Sequence, residues 1–176
     1  AKAAGVILTI DPLNGDPSKV VIEASWGLGE TVVSGSVTPD RYRVDKVIFE
    51  INEQVVSNKT VECKYNPAAR GVVHGEVSAD YCDKPCLQRE EVMELVRVAK
   101  RIEQHYGCPQ DIEWAIDMDA HPFPGNVFMV QSRPETVWSQ RRKEPILKGK
   151  TGLDLLFEQA MVPKQWHMET HAPVPS

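Results

Sequence analysis

The alternation of apolar and polar residues along the chain predicts a sheet with one long helix. Residues 5–11 and 19–25 are apolar, rich in β-branched side chains and bounded by turn residues, as is typical of strands. The second run is centred on the consecutive β-branched residues 20–22, so we expect that strand to be buried on both faces. Short alternating segments over 41–66 predict an antiparallel meander, and a segment rich in Gly, His and Asp at 67–87 predicts a loop.

The most regular helical pattern covers residues 88–106. Its apolar residues recur at helical spacing, and Gly107 follows where a helix stop is expected. Two strands are predicted next, at 110–117 and 126–134, and a linker with two prolines and a glycine joins them as a hairpin. The pattern therefore predicts an α+β fold, mainly an antiparallel sheet with one long packed helix.

Length and charge narrow the class of protein. The chain has 176 residues, which suits one domain with a sizeable core. Its net charge is −5, so it gains no general attraction to nucleic acid or to an anionic membrane surface. No apolar run approaches the roughly 20 residues that span a bilayer. We expect a cytoplasmic protein with neither nucleic acid nor membrane as partner, and the missing initiator Met suggests a fragment.

The four cysteines allow two interpretations. Cys82 and Cys86 form a CDKPC segment, and Cys63 and Cys108 would complete a set of four thiolates for zinc. A second closely spaced cysteine pair is missing, which favours ordinary reduced thiols in a cytoplasmic protein.

The predicted hairpin carries most of the candidate chemistry. Side chains alternate along a strand, so the odd-numbered residues from Asp111 to Asp117 share one face. On the second strand the odd-numbered residues from Val127 to Arg133 are predicted to share one face as well. If the hairpin is centred on Pro122, Glu113 lies opposite Gln131 and Asp111 lies opposite Arg133.

Two interpretations of this face remain open from the residues alone. Mg²⁺ prefers hard oxygen ligands, and Glu113 with Gln131 would supply two, while Arg133 would contact a transferring phosphate. The alternative is an ordinary surface ladder of charges in which Asp111 and Arg133 form an ion pair.

The segment Gly27-Leu28-Gly29-Glu30 is the second candidate. It follows a buried strand, and glycine lets backbone N–H groups approach an anion. A tight turn explains the glycines equally well, and Glu30 is either a metal or ribose contact or a residue that starts a helix. His74, flanked by glycine in GVVHGEV, is a further residue that could approach a ligand, although a solvated histidine is the more ordinary interpretation.

Four segments together resemble one known family. They are AGVILTIDP at 4–12, IEASWGLGETVVSGSVTPDRY at 22–42, IEQHYGCPQDIEWAID at 102–117 and FMVQSRPET at 128–136. In this order they are similar to the nucleotide-binding domain of the phosphoenolpyruvate synthase and pyruvate phosphate dikinase family. The resemblance covers about residues 3–139.

The resemblance implies the C-terminal half of an ATP-grasp fold over residues 1–139, followed by a tail with a short helix at 140–176. Family members transfer a phosphoryl group from ATP to a histidine on a swivelling domain and then to pyruvate or another acceptor. The implied partners are ATP, the N-terminal ATP-grasp half and the phosphohistidine domain. Phenylphosphate synthase and rifampicin phosphotransferase are related possibilities, and a non-catalytic docking module is the alternative.

The resemblance also implies roles for individual residues. Glu113 and Gln131 match the DIEW and QSRPE motifs as Mg²⁺ ligands, and Arg133 matches as the catalytic contact to the phosphates. Asp111 follows as a carboxylate linked to the metal site. Gly27, Gly29 and Glu30 follow as part of the nucleotide-binding wall.

Overall fold

The computed structural model describes residues 1–119 and 121–138. These residues form eight strands and three helices. The strands are β1 (Ala3–Leu8), β2 (Lys19–Trp26), β3 (Asp40–Asp45), β4 (Glu50–Val55), β5 (Val61–Asn66), β6 (Gly71–Glu76), β7 (Gln110–Ile116) and β8 (Val127–Pro134). The helices are α1 (Glu30–Val33), α2 (Ala79–Cys82) and α3 (Arg89–Tyr106). The α+β prediction is confirmed, whereas the short helix predicted in the tail lies outside the described residues.

Six strands form one antiparallel sheet in the order β4-β3-β2-β1-β7-β8. One face, the inner face, carries the apolar residues that pack with α3 in the core. Ile7, Ile22 and Ile112 lie side by side on this face and are fully buried. The opposite face, the outer face, carries the alternate residues of each strand.

The prediction that β2 is buried on both faces is confirmed. Val20 and Ile22 are fully buried on the inner face, while Val21 on the outer face is 4% exposed. The reason is position, since β2 is central in the sheet and α1 contacts its outer face. The first strand covers Ala3–Leu8 instead of the predicted 5–11, and it ends before the turn in which Asp11 accepts a hydrogen bond from the backbone of Leu13.

Helix α3 follows its sequence pattern closely. Val92, Leu95, Val96 and Ala99 form its buried stripe. The Glu91 carboxylate accepts a hydrogen bond from the backbone N–H of Gln88 and closes the first turn. Gly107 ends the helix in the left-handed conformation at φ 69°, as predicted.

Two predictions for the middle of the chain are wrong. The meander stops at β4, since β5 leaves the main sheet and pairs with β6 as a separate hairpin. Between β4 and β5 the Lys59 side chain is fully buried in an ion pair with Asp40. The segment 67–87 is not a simple loop either, since it contains β6 and α2. The glycines of this segment interrupt the alternation typical of a strand. The strand forms because it pairs with β5.

The register predicted for the β7–β8 hairpin is confirmed. Glu113 is paired with Gln131 and Asp111 with Arg133. The prediction that all odd-numbered residues from Val127 to Arg133 share one face is wrong, because the register shifts beside Glu113 and leaves Val130 without a partner. This bulge turns Met129 inward against the core while Gln131 remains opposite Glu113.

Among the described residues, no helix combines the length and the apolar character that a bilayer crossing requires.

Candidate functional site

The outer face brings the predicted site residues together in two rows across the strands. Val6 on β1 is paired with Glu113 on one side and with Glu23 on the other. The next row along the strands runs from Arg133 through Asp111 to Leu8. Pairing places these side chains on the face opposite the core, so a ligand can reach them without displacing α3.

Glu113 and Gln131 form the centre of the site. They are direct cross-strand partners, placed on one face by the bulge at Val130. No hydrogen bond or ion pair within residues 1–119 and 121–138 engages either side chain. Two hard oxygen donors therefore stand side by side with their ligand positions open.

Arg133 is held by Asp111 in the adjacent row. Its Nε and Nη2 atoms donate to Oδ2 of Asp111 at 2.9 and 2.7 Å. The pair that the alternative interpretation required is therefore formed. The hydrogen bonds that Arg133 donates to Asp111, and then the charge of Asp111, raise the pKa of Arg133 above its ordinary value. Since 66% of the Arg133 side chain is exposed, the guanidinium keeps a charged edge open to a ligand.

The donors present fit a magnesium ion. Mg²⁺ commonly takes one or two protein oxygens and completes its coordination with phosphate oxygens and water. Glu113 supplies a charged oxygen and Gln131 a neutral one, and neither is engaged in a hydrogen bond or ion pair in the described part of the chain. A site built by protein carboxylates and imidazoles alone is not found there, since no three His, Cys, Asp or Glu residues of the described ranges are placed to hold a metal ion.

The glycine-rich segment is anchored beside this face. Gly27 has φ 79°, and a Cβ atom on it would lie 2.2 Å from the carbonyl oxygen of Cys63. The same carbonyl accepts a hydrogen bond from the backbone of Leu28 at 2.7 Å. Gly29 lies over Ala4, whose Cβ would be 3.6 Å from a Cβ at Gly29. The glycines therefore let the segment pack closely against the outer face. This role is structural and agrees with the tight-turn interpretation.

Glu30 begins α1 and faces two residues that the sequence did not connect with it. The Cys63 sulfur lies 3.8 Å from Oε2 of Glu30 and 3.6 Å from Nδ1 of His74. Burial, and then the Glu30 carboxylate, raise the pKa of the Cys63 thiol. A neutral thiol can donate to Glu30, so Cys63 links the helix start to the β5–β6 hairpin. The pairing of β5 with β6 creates this contact, and no local motif signals it.

A cleft of about 440 Å³ opens at the end of the outer face beside the Asp111–Arg133 pair. Its apolar lining includes Leu8, Ile10 and Trp138. An apolar wall next to an exposed guanidinium suits a ligand that combines anionic and apolar parts.

The cysteines are dispersed in the part of the chain that the structure describes. Cys63 and Cys86 are buried free thiols, and Cys82 and Cys108 are half-buried free thiols. The described residues bring together no set of four sulfurs, because Cys63 faces Glu30 and His74 whereas Cys86 lies in the core beside α3.

Comparison with known proteins identifies the domain to which this face belongs. Residues 1–151 match the family model described as the pyruvate phosphate dikinase AMP/ATP-binding domain. A probable phosphoenolpyruvate synthase from Staphylothermus marinus is 42% identical, over 92% of this chain and 22% of the relative. The phosphoenolpyruvate synthase of Pyrococcus furiosus is 42% identical, over 85% of this chain and 20% of the relative.

A relative with a different name shares the same region. The prodigiosin synthesizing transferase PigC from Serratia marcescens is 40% identical, over 77% of this chain and 14% of the relative. The chain spans about a fifth of the length of the phosphoenolpyruvate synthases that it matches. The family match and these relatives show that the chain belongs to the phosphoenolpyruvate synthase and pyruvate phosphate dikinase family, within its AMP/ATP-binding domain.

Proposed function

We propose that the outer face binds Mg-ATP as the C-terminal half of an ATP-grasp domain in a dikinase. The observation that carries the proposal is the cross-strand pair Glu113 and Gln131, whose side chains make no hydrogen bond or ion pair with the described residues, beside the Asp111–Arg133 pair. A metal-bound triphosphate requires hard oxygen ligands for Mg²⁺ and a positively charged group for the phosphates. Glu113 and Gln131 supply the first, and the guanidinium of Arg133 supplies the second.

Each residue has a distinct role in this proposal. Glu113 and Gln131 hold Mg²⁺, which when bound neutralises charge on the phosphates. Arg133 contacts the transferring phosphate, and Asp111 holds the guanidinium plane in one orientation while it does so. Glu30 and the glycines at positions 27 and 29 form the side of the site that lies over β1.

The wider reaction follows from the family. We infer transfer of a phosphoryl group from ATP to a histidine on a swivelling domain and then to pyruvate, with AMP and phosphate as products. The names of the phosphoenolpyruvate synthase relatives support pyruvate as acceptor. The relative named for prodigiosin synthesis supports the alternative of a non-pyruvate acceptor for the same ATP-binding region. The proposed partners are the N-terminal ATP-grasp half and the phosphohistidine domain.

The test uses Glu113→Ala in the full-length natural protein. The wild type should bind ATP in a Mg²⁺-dependent manner, phosphorylate the histidine and release AMP instead of ADP. The variant should lose histidine phosphorylation. Glu50→Ala is the control, because Glu50 lies exposed on the edge strand β4.

The outcomes separate the metal assignment from the broader proposal. Near-normal phosphorylation by Glu113→Ala would exclude Glu113 as an essential metal ligand. If the wild type shows no metal-dependent nucleotide binding, the outer face is a docking surface instead. Phosphorylation that yields ADP would indicate an ordinary kinase.

A further inference from the structure

Glu23 is a second open carboxylate in the same row as Glu113. Val6 is the direct partner of both residues, so two strand spacings separate them. At about 4.8 Å per spacing, their backbones lie about 10 Å apart. Both side chains project from the outer face, because the inner face of β2 is taken by Val20, Ile22 and Ala24.

The carboxylate of Glu23 has no hydrogen-bond or ion-pair partner among residues 1–119 and 121–138. The side chain is half-buried. Arg41 is its cross-strand partner on β3, yet the guanidinium of Arg41 donates to Glu53 at 3.0 Å. A partly desolvated carboxylate without a donor is a costly arrangement that a bound hydrogen-bond donor would relieve.

The surface between the two carboxylates is apolar. Val6 forms its floor and is half-buried, and Leu8 extends the floor along β1. The glycine-rich segment closes one side, since Gly29 lies over Ala4. From β8 to β2 the row therefore contains the oxygen ligands of Gln131 and Glu113, then an apolar surface at Val6, and then the carboxylate of Glu23.

A nucleotide has the same order of chemistry. Its metal-bound phosphates are followed by the apolar carbons of the sugar and then by two neighbouring hydroxyl groups. Carboxylates that accept hydrogen bonds from ribose hydroxyls are well known in nucleotide-binding proteins. We propose that Glu23 accepts hydrogen bonds from the ribose hydroxyls of the nucleotide and selects ribonucleotides, an inference that rests on the proposed function.

The surroundings of Glu23 argue against a second metal ion at this position. Arg41 and Arg43 lie on the neighbouring strand, directly opposite Glu23 and Val21. Their guanidinium groups are ion-paired with Glu53 and Asp11, so this strand offers no oxygen ligand for a cation beside Glu23. The adjacent residue in the row toward Glu113 is Val6, which offers no oxygen ligand. A pair of hydroxyl groups, in contrast, needs only one carboxylate.

The test compares ATP with 2′,3′-dideoxy-ATP by titration calorimetry on the full-length natural protein in saturating Mg²⁺. The wild type should bind ATP ~10- to 100-fold more tightly than the dideoxy nucleotide, as expected for hydrogen bonds to a charged acceptor. Glu23→Ala should bring the ratio of the two affinities close to one without changing the dideoxy affinity. Glu23→Gln, which keeps the shape, should give an intermediate ratio. Glu50→Ala should keep the wild-type ratio.

Other results overturn the inference. Glu23→Ala and Glu23→Gln variants that keep the wild-type ratio, or that weaken both nucleotides equally, exclude a ribose contact while leaving the proposed function standing. A change only in the Mg²⁺ concentration required would indicate a cation site. If the wild type fails to bind either nucleotide, the proposed function fails and this inference fails with it.

Discussion

Lys59 and Asp40 form an ion pair with both side chains fully buried. Nζ of Lys59 lies 2.5 Å from Oδ1 of Asp40 and also donates to the carbonyl of Ser57. Asp40 in turn accepts hydrogen bonds from the backbone of Ser57 and of Cys86. The pair therefore joins the start of β3, the segment that leads into β5 and the segment before α3, all of which surround the inner core.

We predict that Lys59→Met destabilises the fold by about 3–5 kcal/mol, because it leaves the buried carboxylate of Asp40 without its cation. Urea denaturation followed by circular dichroism measures the free energy of unfolding. Lys64→Met is the control, since the Lys64 side chain is 57% exposed and its ion pair with Glu62 should contribute about 1 kcal/mol or less. Equal losses in the two variants would show that the buried pair is not a major stabilising contact.

The Asp111–Arg133 pair should affect binding more than stability. The pair is exposed at Arg133, so Asp111→Asn should cost about 1 kcal/mol or less in the free energy of unfolding. Under the proposed function, loss of the fixed guanidinium orientation should slow phosphoryl transfer from ATP by about 10- to 100-fold. Urea denaturation and a transfer assay on the full-length protein measure the two effects.

The Arg133→Met background shows whether Asp111 acts through Arg133. If it does, adding Asp111→Asn to Arg133→Met should change the transfer rate little. A further drop as large as that seen in the wild type would mean that Asp111 contacts the metal or the nucleotide by itself.

Alanine substitutions at three glycines distinguish the cost of backbone strain from the cost of a steric clash. Gly27 and Gly35 both have positive φ, but a Cβ would meet the Cys63 carbonyl only at Gly27. Gly75 has neither constraint. We expect Gly35→Ala to lose about 1 kcal/mol and Gly27→Ala clearly more, because the segment must also move away from β5. Gly75→Ala should be close to neutral.

Thermal unfolding of the three variants measures the order of their stability losses. Nucleotide binding reports whether the glycine-rich segment has moved away from β5. Gly27→Ala should also weaken Mg-ATP binding if the segment walls the site. Equal stability of the alanine variants at 27 and 35 would mean that the contact with Cys63 adjusts at little cost.

The sequence predicted those parts of the molecule whose local pattern agrees with their final packing. The buried stripe of α3 from Val92 to Ala99 has the period of a helix, and Gly107 marks its end. The β7–β8 register followed from centring the hairpin on Pro122, in the middle of the linker, and this places Glu113 opposite Gln131 as observed.

The remaining features depend on contacts between distant segments. The bulge at Val130 keeps Gln131 outward while Met129 packs inward, and alternation alone cannot produce that change of phase. The glycine-rich sequence of β6 indicated a loop, because the strand is stabilised by its pairing with β5 and not by its own pattern. Glu23 lies in a run that predicted burial on both faces, and only the observed register places it in the row of Glu113.

Asp45 should make the fold sensitive to acid. A hydrogen bond from Lys19, followed by those from the backbone of Ile48 and Val47, lowers the pKa of Asp45 to about 2. In the unfolded chain an aspartate has a pKa of about 3.9, so the folded state binds fewer protons between these two pKa values. The stabilisation from Asp45 is therefore complete above about pH 4 and is lost as the pH falls toward 2. Urea denaturation should find wild type more stable than Asp45→Asn by a constant amount at neutral pH, with the difference vanishing near pH 2. Asp80→Asn, at an exposed position, is the control for the loss of an aspartate. A wild-type advantage over Asp45→Asn that persists unchanged at pH 2 would contradict the assignment.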